Sequence, residues 1–340
     1  MVNKSVTMKS IGELLGVSTV TVSKALGDKE GVSEELRAVI KGKADELGYV
    51  YSSSKGAGNR RPGSSNIIGV IVASNYVDMS SYSFYLNMYH SVILELAEKG
   101  YSGIMEIITD NMRSELIMPT ALLENKVDGI IVLGQLSTAY VKKVMSYGKP
   151  VTLLDYYDSE LETDSVVTDN VLGTYQLTEY CIKKGHRKIA FVGSINATCS
   201  ILDRYLGYYR ALVQNGIKVP EDYVIEDRDE KLLNYSEMLL PKDMPTAFVC
   251  NCDEVAYLVM DQLKKKGYCV PEDISVVGFD NYTFLDYTSV NLTTVAVDVR
   301  MMAKEAVKLL VRQVEKGEKS NTRRVISGKL IIRDSVKDIN

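Results

Sequence analysis

Apolar residues first recur along the chain at helical spacing, in three short bursts separated by turn residues. Thr7 can cap a first helix whose Met8, Ile11, Leu14 and Leu15 fall on one face. Gly16 supplies a sharp turn, and Ser18 can cap a second helix over 19–26. Gly27 and Asp28 break that helix. Ser33 can cap a third, with Glu34 and Glu35 in the first turn, where the helix dipole favours acids. Its apolar stripe is Leu36, Val39, Ile40 and Leu47, and Gly48 ends it. Residues 51–65 read YSSSKGAGNRRPGSS, a Gly/Ser-rich basic stretch that cannot bury apolar area and reads as a linker.

From Asn66 the pattern changes to short β-branched runs alternating with amphipathic segments. Strands are expected at 67–73, 103–108, 129–133 and 151–154, with helices over 84–99, 113–125 and 138–147. A second set begins at Val166, with helices at 171–184, 203–215 and 253–266 and strands at 188–193, 223–225, 246–250 and 274–279. A last helix at 299–316 and a strand near 325–332 close the chain. The predicted fold is an all-α head followed by an α/β body of two doubly wound lobes. The expected boundaries are 1–50 for the head, 51–65 for the linker and 66–340 for the body. One lobe takes about 66–162 and 290–320, and the other about 163–288 and 321–340.

Two short helices across a glycine turn form a helix-turn-helix, whose second helix enters the DNA major groove. The residues placed to meet base edges are Thr19, Val20, Ser23 and Lys24. Lys24 can donate to guanine, while Thr19 and Val20 can touch a thymine methyl. Thr7 and Ser18, at helix starts, are candidate phosphate contacts. The competing reading is an ordinary three-helix packing unit.

The segment VTMKSIGELLGVSTVTVSKALGDKEGVSEELRAVIKGKADELGY resembles the head of the LacI/GalR family of bacterial repressors. The likeness continues in order through IIGVIVA, VDGIIVL, DSVVTDNVLGTYQLTEYCIKKGHRKIAFVG, DRYLGYYRAL, PEDISVVGFDN, LTTVAVDV and SGKLIIRDSV. It implies a homodimer on a near-palindromic operator. It also implies a periplasmic-binding-protein-like body, with crossovers near 161–165, 286–292 and 318–323, and a small effector, usually a sugar, between its lobes.

The linker departs from the family pattern. Tyr51 and Ser52 stand where the family has Pro and Asn. KGAGNRR stands where the family has a hinge-helix leucine that wedges into the minor groove. Gly56, Gly58 and Gly63 each disfavour helix by about 1 kcal/mol relative to alanine. The expectation is a flexible basic arm of Lys55, Arg60 and Arg61, with little bending of the operator.

Effector candidates follow from the matched motifs. Arg204 in DRYLGY offers a guanidinium fork for hydroxyl or carboxylate groups. Asp280, ending SVVGFD, is placed to accept sugar hydroxyls, with an internal ion pair as the competing role for both. Phe84 and Tyr85 match the family's aromatic pair, with core packing as the alternative. Tyr82 and Tyr282 are weaker aromatic candidates. Asp155 ends a strand, Gln135 lies beyond another, and Asp253 opens a helix, where an N-cap is the competing role. Cys252 replaces the asparagine usual before Asp253. Asp169 and Asn170 read as a helix start, and His186 and His90 as structural.

Charge sharpens the division. The whole chain carries −4, but residues 1–61 hold ten Lys and Arg against seven acids, so a basic head joins an acidic body. Five cysteines without a CxxC or paired-His pattern point away from a disulfide framework or a metal site, and no cofactor is expected. No apolar run of membrane length occurs, and Met1–Ser10 is not a secretory leader, so the chain is expected in the cytoplasm. A transport-system sugar-binding protein would share the body without needing the head. An enzyme is disfavoured because IIGVIVASNY lacks a G-x-G-x-x-G loop and no nucleophile elbow or P-loop occurs. A regulator answering to a protein co-regulator remains the alternative within its class.

Overall fold

The structure, a computed structural model, describes residues 6–47, 49, 64–77, 84–229, 235–282, 290–318 and 320–340. The chain divides into two compact units, Met1–Pro62 and Gly63–Asn340.

In the first unit, α1 (Met8–Leu15), α2 (Thr19–Leu26) and α3 (Glu34–Glu46) pack around Ile11, Val22, Ala25, Leu26, Ile40 and Ala44. Thr7, Ser18 and Ser33 cap the three helices. Gly16 ends α1 in the left-handed conformation, φ 66°. Gly12 faces the turn so closely that a Cβ there would lie 2.7 Å from the Val17 carbonyl oxygen. Leu14 and Val39, expected in the core stripes, are 62% and 54% exposed. The three helices are too short to bury every apolar position on two sides. Arg37 fastens α3 to α2: its guanidinium donates to the carbonyls of Lys24, Ala25 and Lys29 and pairs with Asp28 at 3.3 Å.

The second unit holds two parallel sheets. The first lobe's strands are β1 (Ile67–Ala73), β2 (Ser102–Ile108), β3 (Gly129–Leu133), β4 (Val151–Leu154), β5 (Asp164–Thr168) and β11 (Arg323–Ile326), in the order β11-β5-β4-β3-β1-β2. Side chains alternate across the sheet. Ile68, Val70 and Val72 meet α4 (Phe84–Glu98) and α11 (Val299–Lys316), whereas Ile71 and Ala73 join the core under α7 (Thr138–Met145). The second lobe orders β7 (Val224–Ile225), β6 (Ile189–Val192), β8 (Ala247–Cys250) and β9 (Ser275–Val277). Ala190 and Val192 pack on α10 (Asp253–Lys265). Ile189 and Phe191 pack on α8 (Asn170–Lys183) and α9 (Cys199–Gln214). A separate antiparallel pair joins β10 (Thr294–Ala296) to β12 (Lys329–Ile331). Each buried Val, Leu or Ile contributes about 1.5–3 kcal/mol of hydrophobic stabilisation.

Several expected boundaries shift. The helix expected over 113–125 is two short ones, α5 (Asp110–Ser114) and α6 (Thr120–Leu123), because Leu116 takes φ 51° and Pro119 intervenes. α9 starts at Cys199 rather than 203, capped by Thr198. The strand expected near 325–332 is β11 and β12, in two different sheets. The crossovers expected near 161–165, 286–292 and 318–323 fall later along the chain, at 168–170, 296–299 and 326–329. The lobe ranges move with them, since β5 and β11 both belong to the first lobe. Asp164 secures that arrangement. Its carboxylate accepts from Gln313 of α11 (2.7 Å), Ser320 (2.6 Å) and the Thr322 N–H (2.7 Å).

Candidate functional site

In the head, α2 presents a polar outer face because Val22, Ala25 and Leu26 point inward. Thr19, Val20 and Lys24 are exposed, and Ser23 is half-buried beside them. The Val20 side chain, 66% exposed, is free of the core. Ser18 accepts from the Thr21 N–H (3.1 Å), and Thr7 exchanges hydrogen bonds with Ser10, so both expected phosphate contacts already cap helices. Lys55, Arg60 and Arg61 lie outside the described residues.

In the second unit, the expected effector residues come from the carboxyl ends of the strands, where doubly wound sheets bind ligands. Arg204, in α9, is buried in the second lobe, with Asp155 of the first lobe within electrostatic reach. Nε donates to Asn170 Oδ1 (2.8 Å), Nη1 to the Asn251 carbonyl, and Nη2 to Asp280 Oδ1 (3.1 Å). The guanidinium also lies 4.0 Å over the Phe279 ring. Asp155 and Asp280 follow β4 and β9, both at positive φ (73° and 105°), a backbone turn that brings their carboxyls toward Arg204. Burial pushes Asp155 up to about 6, against the pull of Arg204 and the Tyr85 hydroxyl. Burial pushes Asp280 up to about 7; Arg204 pulls it back and Asp155 opposes that pull. Burial works against the charge of Arg204, but Asp280 and Asp155 hold its pKa above the usual value.

The aromatic wall is Tyr76 and Tyr85. Their ring centroids are 4.5 Å apart, and Tyr85 donates to Asp155 Oδ2 at 2.9 Å. Gly134, at φ 74°, allows this wall: a Cβ there would meet Tyr76 at 2.8 Å and Tyr85 at 3.0 Å. Phe84 touches Tyr85 edge-on and packs into the first lobe's core. Gln135 reaches the other lobe, its Oε1 accepting from the Cys199 N–H (2.8 Å). Ser200 donates to the Asp155 carbonyl (3.1 Å), and Tyr157 donates to Asp203 (3.0 Å). The start of α9 is therefore the seam between the lobes.

Asp253 stands apart from this group. Neither its helix-opening position nor a cap explains its carboxylate, which accepts from the Thr294 hydroxyl (2.6 Å) and the Tyr282 N–H (2.7 Å). It braces β10 and the segment after β9 instead. His186 is structural, bonded to Thr246 and Ser275.

Sequence reading missed Asn75, Tyr76, Arg228 and Tyr235. Arg228 lies just past β7, and its guanidinium stacks 5.0 Å from the Tyr235 ring. Among the described residues, Asp155 Oδ1, Asn75 Oδ1 and Arg228 Nε are buried without a hydrogen-bond partner. The strand expected at 223–225 ends just before Arg228, so the carboxyl-end rule could have singled it out. Among the described residues, no group of three or more His, Cys, Asp or Glu is arranged to hold a metal ion.

Two family models match the chain: bacterial regulatory proteins of the lacI family over residues 7–52, and a periplasmic binding protein-like domain over 178–336. A relative from Vibrio campbellii, the HTH-type transcriptional repressor PurR, is 28% identical, covering 98% of this chain and 99% of that protein. The chain thus carries a helix-turn-helix head of the lacI family of bacterial regulatory proteins and a periplasmic binding protein-like domain in its body. The chain also shares its fold with solved structures. The transcriptional regulator CelR–cellobiose complex has a TM-score of 0.69 at 24% identity, covering 97% of this chain and all of that one. The lac repressor dimer bound to operator and an anti-inducer has a TM-score of 0.68 at 22% identity, covering 98% of this chain and all of that one. The lacI-family head and the full-length likeness to PurR make the chain a DNA-binding transcription regulator. Among the described residues, no helix is long and apolar enough to cross a membrane.

Proposed function

We propose that this regulator binds a near-palindromic operator as a homodimer, and that a sugar or similar polyol held between the lobes sets its affinity for that operator. The observation that carries the effector half is the set of buried, unpartnered polar atoms at the strand ends. Asp155 Oδ1 and Asn75 Oδ1 want donors, and Arg228 Nε wants an acceptor. Leaving such atoms unmet is costly, and a hydroxyl can serve as either partner. The Tyr76 and Tyr85 rings beside them suit the apolar face of a sugar ring. CelR, captured with cellobiose, supports this chemistry by likeness of fold.

The coupling follows from where the ligand sits. A polyol that meets acceptors on the first lobe and a donor on the second favours one arrangement of the lobes. Each subunit's head then reaches its half-site, or misses it, according to that arrangement. Linkage is reciprocal, with operator and effector altering each other's affinity by the same factor, about 5–150-fold in typical systems. The protein acts in the cytoplasm, returns its ligand unchanged, and uses Lys55, Arg60 and Arg61 as phosphate contacts without a minor-groove wedge. The relatives' being transcriptional repressors supports the first two points. The test is operator binding by the full-length protein, followed by fluorescence anisotropy across a panel of sugars at millimolar concentration. A several-fold change in operator affinity with one member supports the reading. A panel that leaves affinity unchanged, while a protein co-regulator alters it, refutes the sugar.

A further inference from the structure

The two carboxylates and Arg204 account for one side of the cleft. The other side holds a second guanidinium whose Nε, among the described residues, has no hydrogen-bond acceptor. Arg228 sits over Tyr235, its guanidinium carbon 5.0 Å from the ring centroid, with its Nε buried. Its nearest anion, Asp227, is 3.6 Å away and already engaged: Oδ1 accepts from the Ser194 N–H (2.8 Å) and Oδ2 from Asn251 Nδ2 (2.7 Å). Glu254, also within electrostatic reach, accepts from the Tyr235 hydroxyl (3.1 Å). Across the cleft, the charges of Arg228 and of Arg113 both act on the Tyr76 phenol. Arg113 comes from α5 of the first lobe, where its partner Asp110 is largely exposed. Two guanidinium groups, one from each lobe, therefore act on one tyrosine.

Building on the reading that the cleft binds a sugar, we propose that the effector carries an anionic substituent, a phosphate monoester or a carboxylate, seated on Arg228 at the Tyr76 side of the cleft. A guanidinium presents parallel N–H groups that fit both anions, and a hydrogen bond to an anion is about twice as strong as a neutral one. The ring hydroxyls of the same molecule face Asp155 and Asn75. Because Arg113 adds its field from the other lobe, the anion draws on both lobes at once and favours their approach.

The test uses full-length protein and matched triplets: glucose, glucose 6-phosphate and glucuronate, with the corresponding galactose and ribose series, and inorganic phosphate alone as a control. Binding is read by calorimetry and by thermal shift. The expected result is an anionic member that binds at least about tenfold more tightly than its neutral parent, a preference that Arg228→Gln reduces to roughly threefold or less and Arg228→Lys partly retains. Which member of the triplet wins distinguishes phosphate from carboxylate. A neutral sugar that binds as tightly as its charged derivatives overturns this inference and leaves the sugar reading standing. So does Arg228→Gln weakening neutral and charged members alike, which makes Arg228 a packing residue. Binding of no member overturns both.

Discussion

Replacing Arg204 with methionine tests how far the second lobe's strand ends depend on one guanidinium. Methionine keeps the length of the side chain and can still lie against Phe279, so packing is largely preserved. What disappears is the donor set: Asn170 Oδ1, the Asn251 carbonyl and Asp280 all lose their Arg204 hydrogen bonds. Breaking a buried ion pair by removing one partner costs about 3–5 kcal/mol. A domain of this size loses about 2–4 °C per kcal/mol, so the second unit is expected to melt roughly 10 °C lower. The pH dependence gives an independent check. Arg204 is the largest influence lowering both Asp155 and Asp280, so both carboxyls rise further without it. A carboxyl whose folded pKa is raised contributes stability at low pH and loses it as pH climbs through that pKa. In the wild type the loss ends near pH 7, whereas in Arg204→Met it continues above it. Thermal unfolding followed by circular dichroism at pH 5 and pH 8.5 should therefore show a larger gap between the two proteins at pH 8.5. A gap under about 2 °C at both values, less than 1 kcal/mol on the same scale, would show that the guanidinium is not what holds these strand ends.

Three further outcomes are expected. In the wild type, the fall in stability from pH 4 to pH 7 should include about 3 kcal/mol from each raised carboxyl, since every tenfold gain in proton affinity on folding is worth about 1.4 kcal/mol. Asp280→Asn, which suits the φ of 105°, should flatten part of that slope, and an unchanged slope in urea titrations counts against a buried Asp280. Lys24→Ala should cost specific operator binding about 1–3 kcal/mol while changing binding to random duplex little; equal losses in gel shifts would demote Lys24 to a phosphate contact. Gly12→Ala, which puts a Cβ 2.7 Å from the Val17 carbonyl, should destabilise the head by about 1–3 kcal/mol. Operator binding should then fail at a lower temperature while the second unit's melting stays put; loss of both together contradicts a local effect.

The head was legible because its information is local. Thr7, Ser18 and Ser33 announce three helix starts within a few residues of the turns they follow. Leu14 and Val39 misled because helical spacing marks a face without saying whether anything covers it. The body's strands were legible individually, but not their sheet membership. β5 is buried on both faces, and only its pairing with β4 and with β11, far along the chain, assigns it to the first lobe. The break between β11 and β12 is two residues, Ser327 and Gly328, too little to interrupt an extended pattern. Arg204, Asp155, Asp280 and Tyr85 were found through motifs and strand ends, and the structure brings them together. Asp253 was read from its helix-start position, whereas its carboxylate answers to Thr294, beyond the reach of local pattern. Arg228 carries no motif at all; its place in the cleft comes from the turn after β7 and the ring of Tyr235.

The most direct test of the account is selection of binding sites from random duplex DNA by the full-length protein, near physiological salt. The account predicts a near-palindromic consensus, with two half-sites read by α2 of a dimer and spaced by about one helical turn or a multiple of it. Recovery of no consensus in the presence and absence of sugar pools, with only weak and strongly salt-dependent binding, would contradict it.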